Sequence, residues 1–336
     1  MTRPGRPVRV TQADVARAAG VSTAVVSYVI NEGPRPIAAA TRERVLRAMA
    51  ETGYRPNGVA RALVSGATRT LGLVVPELAN QFFATLAHAL ETEASRHGLV
   101  LVLGDSGQSV DRESTLVETF VDRRVDGLIY VGVGAHDAIE IATSAGTPVV
   151  VLDRVADDDR AASVVIDNVQ GAAVATRHLI EHGRRALGCL LGPETVPTAR
   201  ARHAGWQQAV HDAGGRVDPR LVEWAPFSKE GGYRAGLRML RLASPPDGMF
   251  VASEDQALGL LCAAAELGVA VPGSLAVVSF DGTDSSRFSV PPLTTVAPRF
   301  TDIARRTIEL LRSPDVPPRS ETSTTDLVVR SSCGCP

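Results

Sequence analysis

Over residues 70–280 short unbroken apolar runs alternate with segments whose apolar positions recur every three to four residues. That is the pattern of buried parallel strands separated by helices that cover both faces of the sheet. The runs predict strands at 71–75, 99–103, 127–131, 148–152, 164–166, 188–191, 248–252 and 276–280. Helices fit between them, for example at 83–97, 171–181, 204–213, 231–242 and 255–267. No sequence repeat is visible, yet two successive sets of such units predict two similar doubly wound subdomains.

Residues 11–52 carry only the helical period. Thr11-Gln12-Ala13-Asp14 fits a capping box, with the Thr hydroxyl placed to satisfy free N–H groups, and opens a helix with Val15, Ala16 and Ala19 on one side. Gly20 suits the tight turn that follows, and Ser22 caps the next helix. At 100° per residue, Val25, Val26, Val29 and Ile30 share one half of that second helix, leaving Thr23, Ala24, Ser27 and Tyr28 on the other. The stretch 41–52 repeats the amphipathic pattern with Val45, Leu46 and Met49 inward, and Gly53 stands where a C-terminal cap belongs. Two helices joined by a short Gly-containing turn, followed by a third, outline a helix-turn-helix whose second helix enters the major groove of DNA.

Charge sharpens that outline. Residues 1–66 hold ten Arg against four acids, a formal +6, in a chain whose net charge is −2, so the remainder carries −8. Positive charge concentrated on the helix-turn-helix is the electrostatic footprint of phosphate binding. With 336 residues and 44% apolar content the chain is expected to form several domains. No apolar run approaches the length of a membrane span, and MTRPGRPVRV lacks the apolar stretch of a signal peptide, so a soluble cytoplasmic protein with no membrane partner is expected.

In open parallel sheets ligands bind beyond the carboxyl ends of the strands. Asn80 to Phe83, Asp153-Arg154, Glu254-Asp255 and Asp281 each follow an apolar run. Any one of them alone reads equally as a helix cap or a loop; their common location favours a cleft, in which carboxylates and an Arg chelate paired hydroxyls while an aromatic ring covers an apolar face. Rival chemistry is weak. Gly104-Asp105-Ser106-Gly107 has the letters of a serine-protease loop in the wrong fold, with no His base, and Gly132-Val133-Gly134 lacks the third glycine of a dinucleotide site. No enzyme activity and no cofactor is expected. Cys189 and Cys262 read as small hydrophobes. Cys333-Gly334-Cys335 leaves a tail disulfide or metal site open, but no His stands near it in sequence. His178 and His182, spaced i, i+4, lack an acidic third ligand and read as a solvated helix face, so no metal site is assigned.

The run Asp14-Val15-Ala16-x-x-Ala19-Gly20-Val21-Ser22-x-x-x-Val26-Ser27-x-Val29-x-Asn31, then Thr41-Arg42-x-x-Val45 and Gly53-Tyr54-x-Pro56-Asn57-x-x-Ala60-x-x-Leu63, resembles the LacI (lac-repressor/GalR) family of transcription factors, and the resemblance continues to the C-terminus. It implies an all-α helix-turn-helix domain at 9–55, a hinge helix and linker at 56–66, and an α/β effector domain at 67–336 like a periplasmic binding protein. Subdomain one would take 67–164 plus 297–325 and subdomain two 165–296 plus 326–336, with the chain crossing back through Pro291-Pro292-Leu293-Thr294-Thr295-Val296. The implied DNA contacts are Thr11, Ser22, Thr23, Ala24, Ser27, Tyr28, Asn31, Thr41, Tyr54, Asn57, Ala60 and Leu63, the last wedged into the minor groove. The implied effector residues are Phe83, Asp153, Arg202, Phe227, Glu254, Asp255 and Asp281, with Arg202 and Asp281 facing each other across the ligand. The implied partners are a pseudopalindromic double-stranded operator, a sugar effector and a second copy of the chain. Departures from the family pattern are Glu254, which adds a negative charge to the pocket rim, Tyr28 in place of a frequent Arg, and Ala38 in place of a frequent Ser cap. The alternative is a solute-binding protein of periplasmic type, which has no use for a helix-turn-helix.

Overall fold

The structure, a computed structural model, describes residues 10–31, 35–56, 66–133, 136–153, 161–313 and 319–335. It divides into two compact units, Met1–Thr68 and Arg69–Pro336.

The first unit contains α1 (Gln12–Ala19), α2 (Thr23–Asn31) and α3 (Ala39–Thr52). Gly20 in the left-handed region (φ 64°) ends α1, and α2 leaves at 105° to it, the geometry of a helix-turn-helix. Its core consists of small residues: Val15, Ala16, Ala19, Val26, Val29, Val45 and Ala48 are buried. Leu46, expected to point inward, is 49% exposed; the buried stripe of α3 runs through Val45 and Ala48, and Leu46 lies 100° off Val45. The capping box expected at Thr11 forms. The backbone N–H and hydroxyl of Thr11 both donate to Asp14, at 3.0 and 2.7 Å.

The second unit is built on two six-stranded sheets. The first contains β1 (Thr70–Val75), β2 (Val100–Asp105), β3 (Gly127–Tyr130), β4 (Val149–Leu152), β5 (Ala162–Ile166) and β11 (Ser320–Ser323), in the order β11-β5-β4-β3-β1-β2. The second contains β6 (Leu187–Leu191), β7 (Val222–Trp224), β8 (Gly248–Val251), β9 (Ala276–Phe280), β10 (Thr294–Pro298) and β12 (Thr325–Val328), in the order β12-β10-β9-β8-β6-β7. All pairings are parallel except β12 on β10. The helices are α4 (Gln81–Arg96), α5 (Val110–Asp122), α6 (His136–Ser144), α7 (Asn168–Glu181), α8 (Pro197–Asp212), α9 (Lys229–Leu240), α10 (Glu254–Glu266), α11 (Ser285–Phe288) and α12 (Phe300–Leu311). Among the described residues no single helix is long and apolar enough to cross a membrane.

The central strands stand out in the sequence because they are buried on both faces: β3, β4, β8 and β9 have no exposed residue. Three of the four edge strands escape that signal, while the fourth, β2, shows it through Val100, Leu101, Val102 and Leu103. β7 has three half-buried residues, and β11 and β12 are largely polar, since one side faces solvent. The chain crosses from the first sheet to the second after Ile166, returns after Pro298 and crosses again between Ser323 and Thr325. The segment expected to carry the return still belongs to the second sheet, where Thr294, Thr295 and Val296 pair with β9.

Glycine sets the spacing of the helices around the second sheet. A Cβ on Gly205 of α8 would stand 2.1 Å from the Val169 carbonyl oxygen of α7. Only a bare backbone allows that approach, and it brings the start of α7 beside Arg202, one turn earlier on α8.

Candidate functional site

The carboxyl ends of both sheets open onto a cavity of about 450 Å³. Of the residues expected to bind an effector, Phe83, Asp153, Arg202, Phe227 and Asp281 line it. Phe83 lies in the first turn of α4, edge-on to Phe82 with ring centroids 5.2 Å apart. The Phe227 ring covers Gly192, where a Cβ would meet it at 2.0 Å. Two aromatic walls and a polar floor suit a flat molecule with an apolar face and polar edges.

Arg202 is buried in the floor. Its Nε donates to Asn168 Oδ1 at 2.8 Å, its terminal nitrogens reach the Ala252 carbonyl oxygen and, at 3.4 Å, Asp281 Oδ1, and its guanidinium stacks 3.8 Å from the Phe280 ring centroid. Asp281 also accepts the Glu254 backbone N–H at 3.1 Å. Arg202 and Asp281 therefore do not face each other across a ligand. They form a direct ion pair, and Arg202 belongs to a helix, not a loop, because α8 starts at Pro197. Burial pushes the Asp281 carboxyl up while Arg202 pulls it down, and burial is the larger influence. Asn168 had no sequence signal; it reaches the guanidinium only through the close approach of α7 and α8 at Gly205.

Glu254 and Asp255 lie outside the cavity wall. Glu254 accepts from the Thr283 N–H at 2.9 Å and the Thr283 hydroxyl at 2.5 Å, so its carboxyl is buried behind Asp281 and adds no charge to the rim. Burial pushes it up to about 7, with the neighbouring Asp281 charge adding to the rise and the Thr283 hydrogen bonds opposing it. Asp255 pairs with Lys229 at 3.0 Å. Both residues start a helix, and their backbone direction at the α10 N-terminus turns the side chains from the cavity.

The other wall positions come from loop ends and helix caps: Asn80, Gln108, Thr195, Thr198, Ser228 and Ser253. Asn80, Ser228 and Ser253 already accept first-turn N–H groups of α4, α9 and α10. The helix ends around the cavity are thus largely satisfied before any ligand arrives. Among the described residues, the charged ones in the wall are Glu77, Asp153 and Asp281 against Arg202. Ser106 is fully buried with its hydroxyl directed at Glu113, so it offers no accessible nucleophile.

On the first unit, Ser22, Thr23, Ala24 and Asn31 are exposed and Ser27, Tyr28 and Thr41 half-buried, so α2 presents the face opposite its Val26 and Val29 anchors. Asn31 donates to the Ser27 hydroxyl at 3.2 Å. Ser22 caps α2 through the Val25 N–H at 3.4 Å. Tyr54 is half-buried and packs against the small core. Asn57, Ala60 and Leu63 lie outside the described residues. The reading of His178 and His182 as a solvated helix face is corrected as well: their rings approach to 4.5 Å and stand beside Cys335.

A basic helix-turn-helix unit in one chain with a two-sheet ligand cleft defines the class of effector-controlled DNA-binding regulators. The comparisons agree. Residues 11–57 match the model of bacterial regulatory proteins of the lacI family and 176–333 that of a periplasmic binding protein-like domain. The chain is 33% identical over 302 residues to the HTH-type transcriptional repressor CytR of Escherichia coli (strain K12), covering 90% of this chain and 88% of that protein. It is 32% identical over 306 residues to catabolite control protein A of Priestia megaterium, covering 90% and 92%. The lac repressor dimer bound to operator and the anti-inducer ONPF superposes with a TM-score of 0.84 at 29% identity, covering 97% of this chain and 99% of that one. The transcriptional regulator CelR in complex with cellobiose gives 0.73 at 30%, covering 96% and 100%. The chain belongs to the LacI family and is a DNA-binding transcriptional regulator controlled by a small-molecule effector.

Proposed function

We propose that the protein is a homodimeric cytoplasmic repressor whose operator affinity is set by a neutral polyhydroxylated ring, a sugar or a molecule built on one, bound between Phe83 and Phe227. The cavity carries this reading: two aromatic walls over a buried Arg202–Asp281 pair, with three carboxylates against one guanidinium among the described residues of its lining. That balance disfavours phosphorylated ligands, and the cap side chains leave few free helix N–H groups for an anion. Complexes of similar proteins with cellobiose and with ONPF support the same class. Asp153 takes hydroxyls from the open side, while Arg202 and Asp281 hold the closed side. The helix-turn-helix argues against a purely solute-binding role.

In DNA binding, Thr23 and Ala24 make apolar contacts to thymine methyls in each half-site, and Leu63 of each subunit wedges into the minor groove at the centre. Operator affinity of the intact dimer is expected to fall with salt at a log-log slope of roughly −5 or steeper, as for six or more neutralised phosphates. A slope near zero in a salt titration overturns DNA recognition by this unit. Thermal-shift screening of neutral sugars, nucleosides and phosphosugars tests the effector class, because a ligand stabilises the state it binds by RT ln(1 + [L]/Kd). Stabilisation by phosphosugars alone overturns the neutral-ring reading.

A further inference from the structure

Two histidines and two cysteines far apart in the chain meet at the outer end of α7. His178 stands in the last turn of α7 and His182 is its C-cap, one turn further on, so both imidazoles leave the same side. The chain returns here after β12 through a single 3₁₀ turn, Ser331–Cys333. Gly334, at φ 102°, then reverses the backbone so that Cys335 points back toward Cys333. The donor atoms of His178, His182, Cys333 and Cys335 all lie within 4.8 Å of one another. Cys335 Sγ is 3.1 Å from His182 Nε2 and 3.8 Å from His178 Nε2.

We propose that these four side chains form a structural metal site for a tetrahedral divalent ion of the zinc class. Zinc–sulfur bonds of about 2.3 Å and zinc–nitrogen bonds of about 2.0 to 2.1 Å put tetrahedral ligand atoms roughly 3.3 to 3.8 Å apart. The separations already present match that edge length or close to it by small side-chain rotations. Two thiolates and two imidazoles without a carboxylate select zinc over calcium or magnesium, which take oxygen ligands. A closed set of four protein ligands leaves no open coordination position, so the role is structural. Binding releases the two thiol protons and forms four coordinate bonds, with no change of oxidation state.

The site has a supported inner half and an open outer half. Cys333 is fully buried, with its sulfur 3.1 Å from the Thr294 hydroxyl and 3.2 Å from the Arg330 carbonyl oxygen, which fixes its direction. Ser332 beside it holds the backbone, its hydroxyl donating to the Val277 carbonyl oxygen and accepting the Thr294 N–H. Cys335 is half-buried and His182 exposed, so an ion enters from solvent. When filled, the site clasps the chain's last turn to α7, the same helix whose first residue, Asn168, holds Arg202 in the effector cavity.

The experiment uses the full chain, reduced and stripped with a chelator, then titrated with Zn²⁺ and with Co²⁺ as a spectroscopic stand-in. One ion per chain is expected, with intense visible bands and thiolate charge transfer marking tetrahedral cobalt on two sulfurs, and a rise in melting temperature on metal addition. Cys335→Ser and His182→Ala, both at the open side, are expected to fold as judged by circular dichroism and to lose stoichiometric binding. Cys262→Ser, remote from the cluster, is expected to keep it. Overturning results are a reduced chain that takes up no ion, cobalt spectra of an all-oxygen site, undiminished binding in both open-side variants, or a Cys333–Cys335 disulfide in protein purified under reducing conditions.

Discussion

The two sheets share one strand order, apart from the opposite directions of β11 and β12, and corresponding positions carry different chemistry. β4 and β9 are each third from the left in the orders β11-β5-β4-β3-β1-β2 and β12-β10-β9-β8-β6-β7, and each is followed by an aspartate with left-handed backbone, Asp153 at φ 70° and Asp281 at φ 103°. Aspartate tolerates that region better than most residues, and the turn lifts both carboxyls into the cavity. The surroundings differ. Asp281 is 4% exposed, paired with Arg202 and backed by the Glu254 N–H, whereas Asp153 is only half-buried. One aspartate is buried in an ion pair and the other stands half-buried in the opposite wall, so duplicated geometry has been divided between a closed wall and a more open one.

The strongest break of that asymmetry is Arg202→Ala. It strands Asp281 and leaves Asn168 and the Ala252 carbonyl without their donor. A loss of about 3 to 5 kcal/mol in unfolding free energy is expected, together with effector affinity weakened roughly 30- to 1000-fold. Denaturant melts and calorimetry measure both, and a variant as stable as the parent would show that the pair does not hold the second sheet's wall.

The raised carboxyl of Glu254 gives the second wall a pH dependence. The fold favours the protonated form. Its contribution to stability is fully present below the unfolded carboxyl's 4.5, falls as pH rises toward about 7, and is flat above. The whole change is on the order of 3 kcal/mol. Glu254→Gln, which cannot ionise, is expected to flatten that part of the stability profile; an unchanged profile would assign the pH dependence to other groups.

Asp153→Asn tests the open wall. Effector affinity is expected to fall about tenfold, roughly 1.4 kcal/mol, with a smaller loss of unfolding free energy than in Arg202→Ala. A stability loss matching that of Arg202→Ala would erase the distinction between the two walls. The smallest effect belongs to Lys229→Ala, which removes an ion pair between a 60% exposed lysine and Asp255 outside the cavity. Less than about 1 kcal/mol of stability is at stake, and effector affinity should not move.

Much of the architecture was legible in the chain because it depends on local periodicity. The three N-terminal helices, their Gly20 and Gly53 caps, and the strands buried on both faces follow from residue spacing and hydrophobicity. The edge strands β7, β11 and β12 were illegible because they are short and carry no apolar run, unlike the edge strand β2. Leu46 shows the same limit within a helix, since an apolar residue on an amphipathic helix is placed by what packs against it.

The sites divide along the same line. Spacing and family pattern were enough to point to Phe83, Asp153, Arg202, Phe227 and Asp281, because residues after parallel strands converge wherever such sheets are built. The sequence by itself determined the class of fold, the basic unit and the end of each sheet where a ligand sits. Only the tertiary structure decided that Arg202 pairs directly with Asp281, that Glu254 turns away to Thr283, and that Asn168 joins the pair. It alone brought His178 and His182 to cysteines more than 150 positions later. These contacts depend on helix approach and chain reversal across distant segments, and a linear pattern records neither.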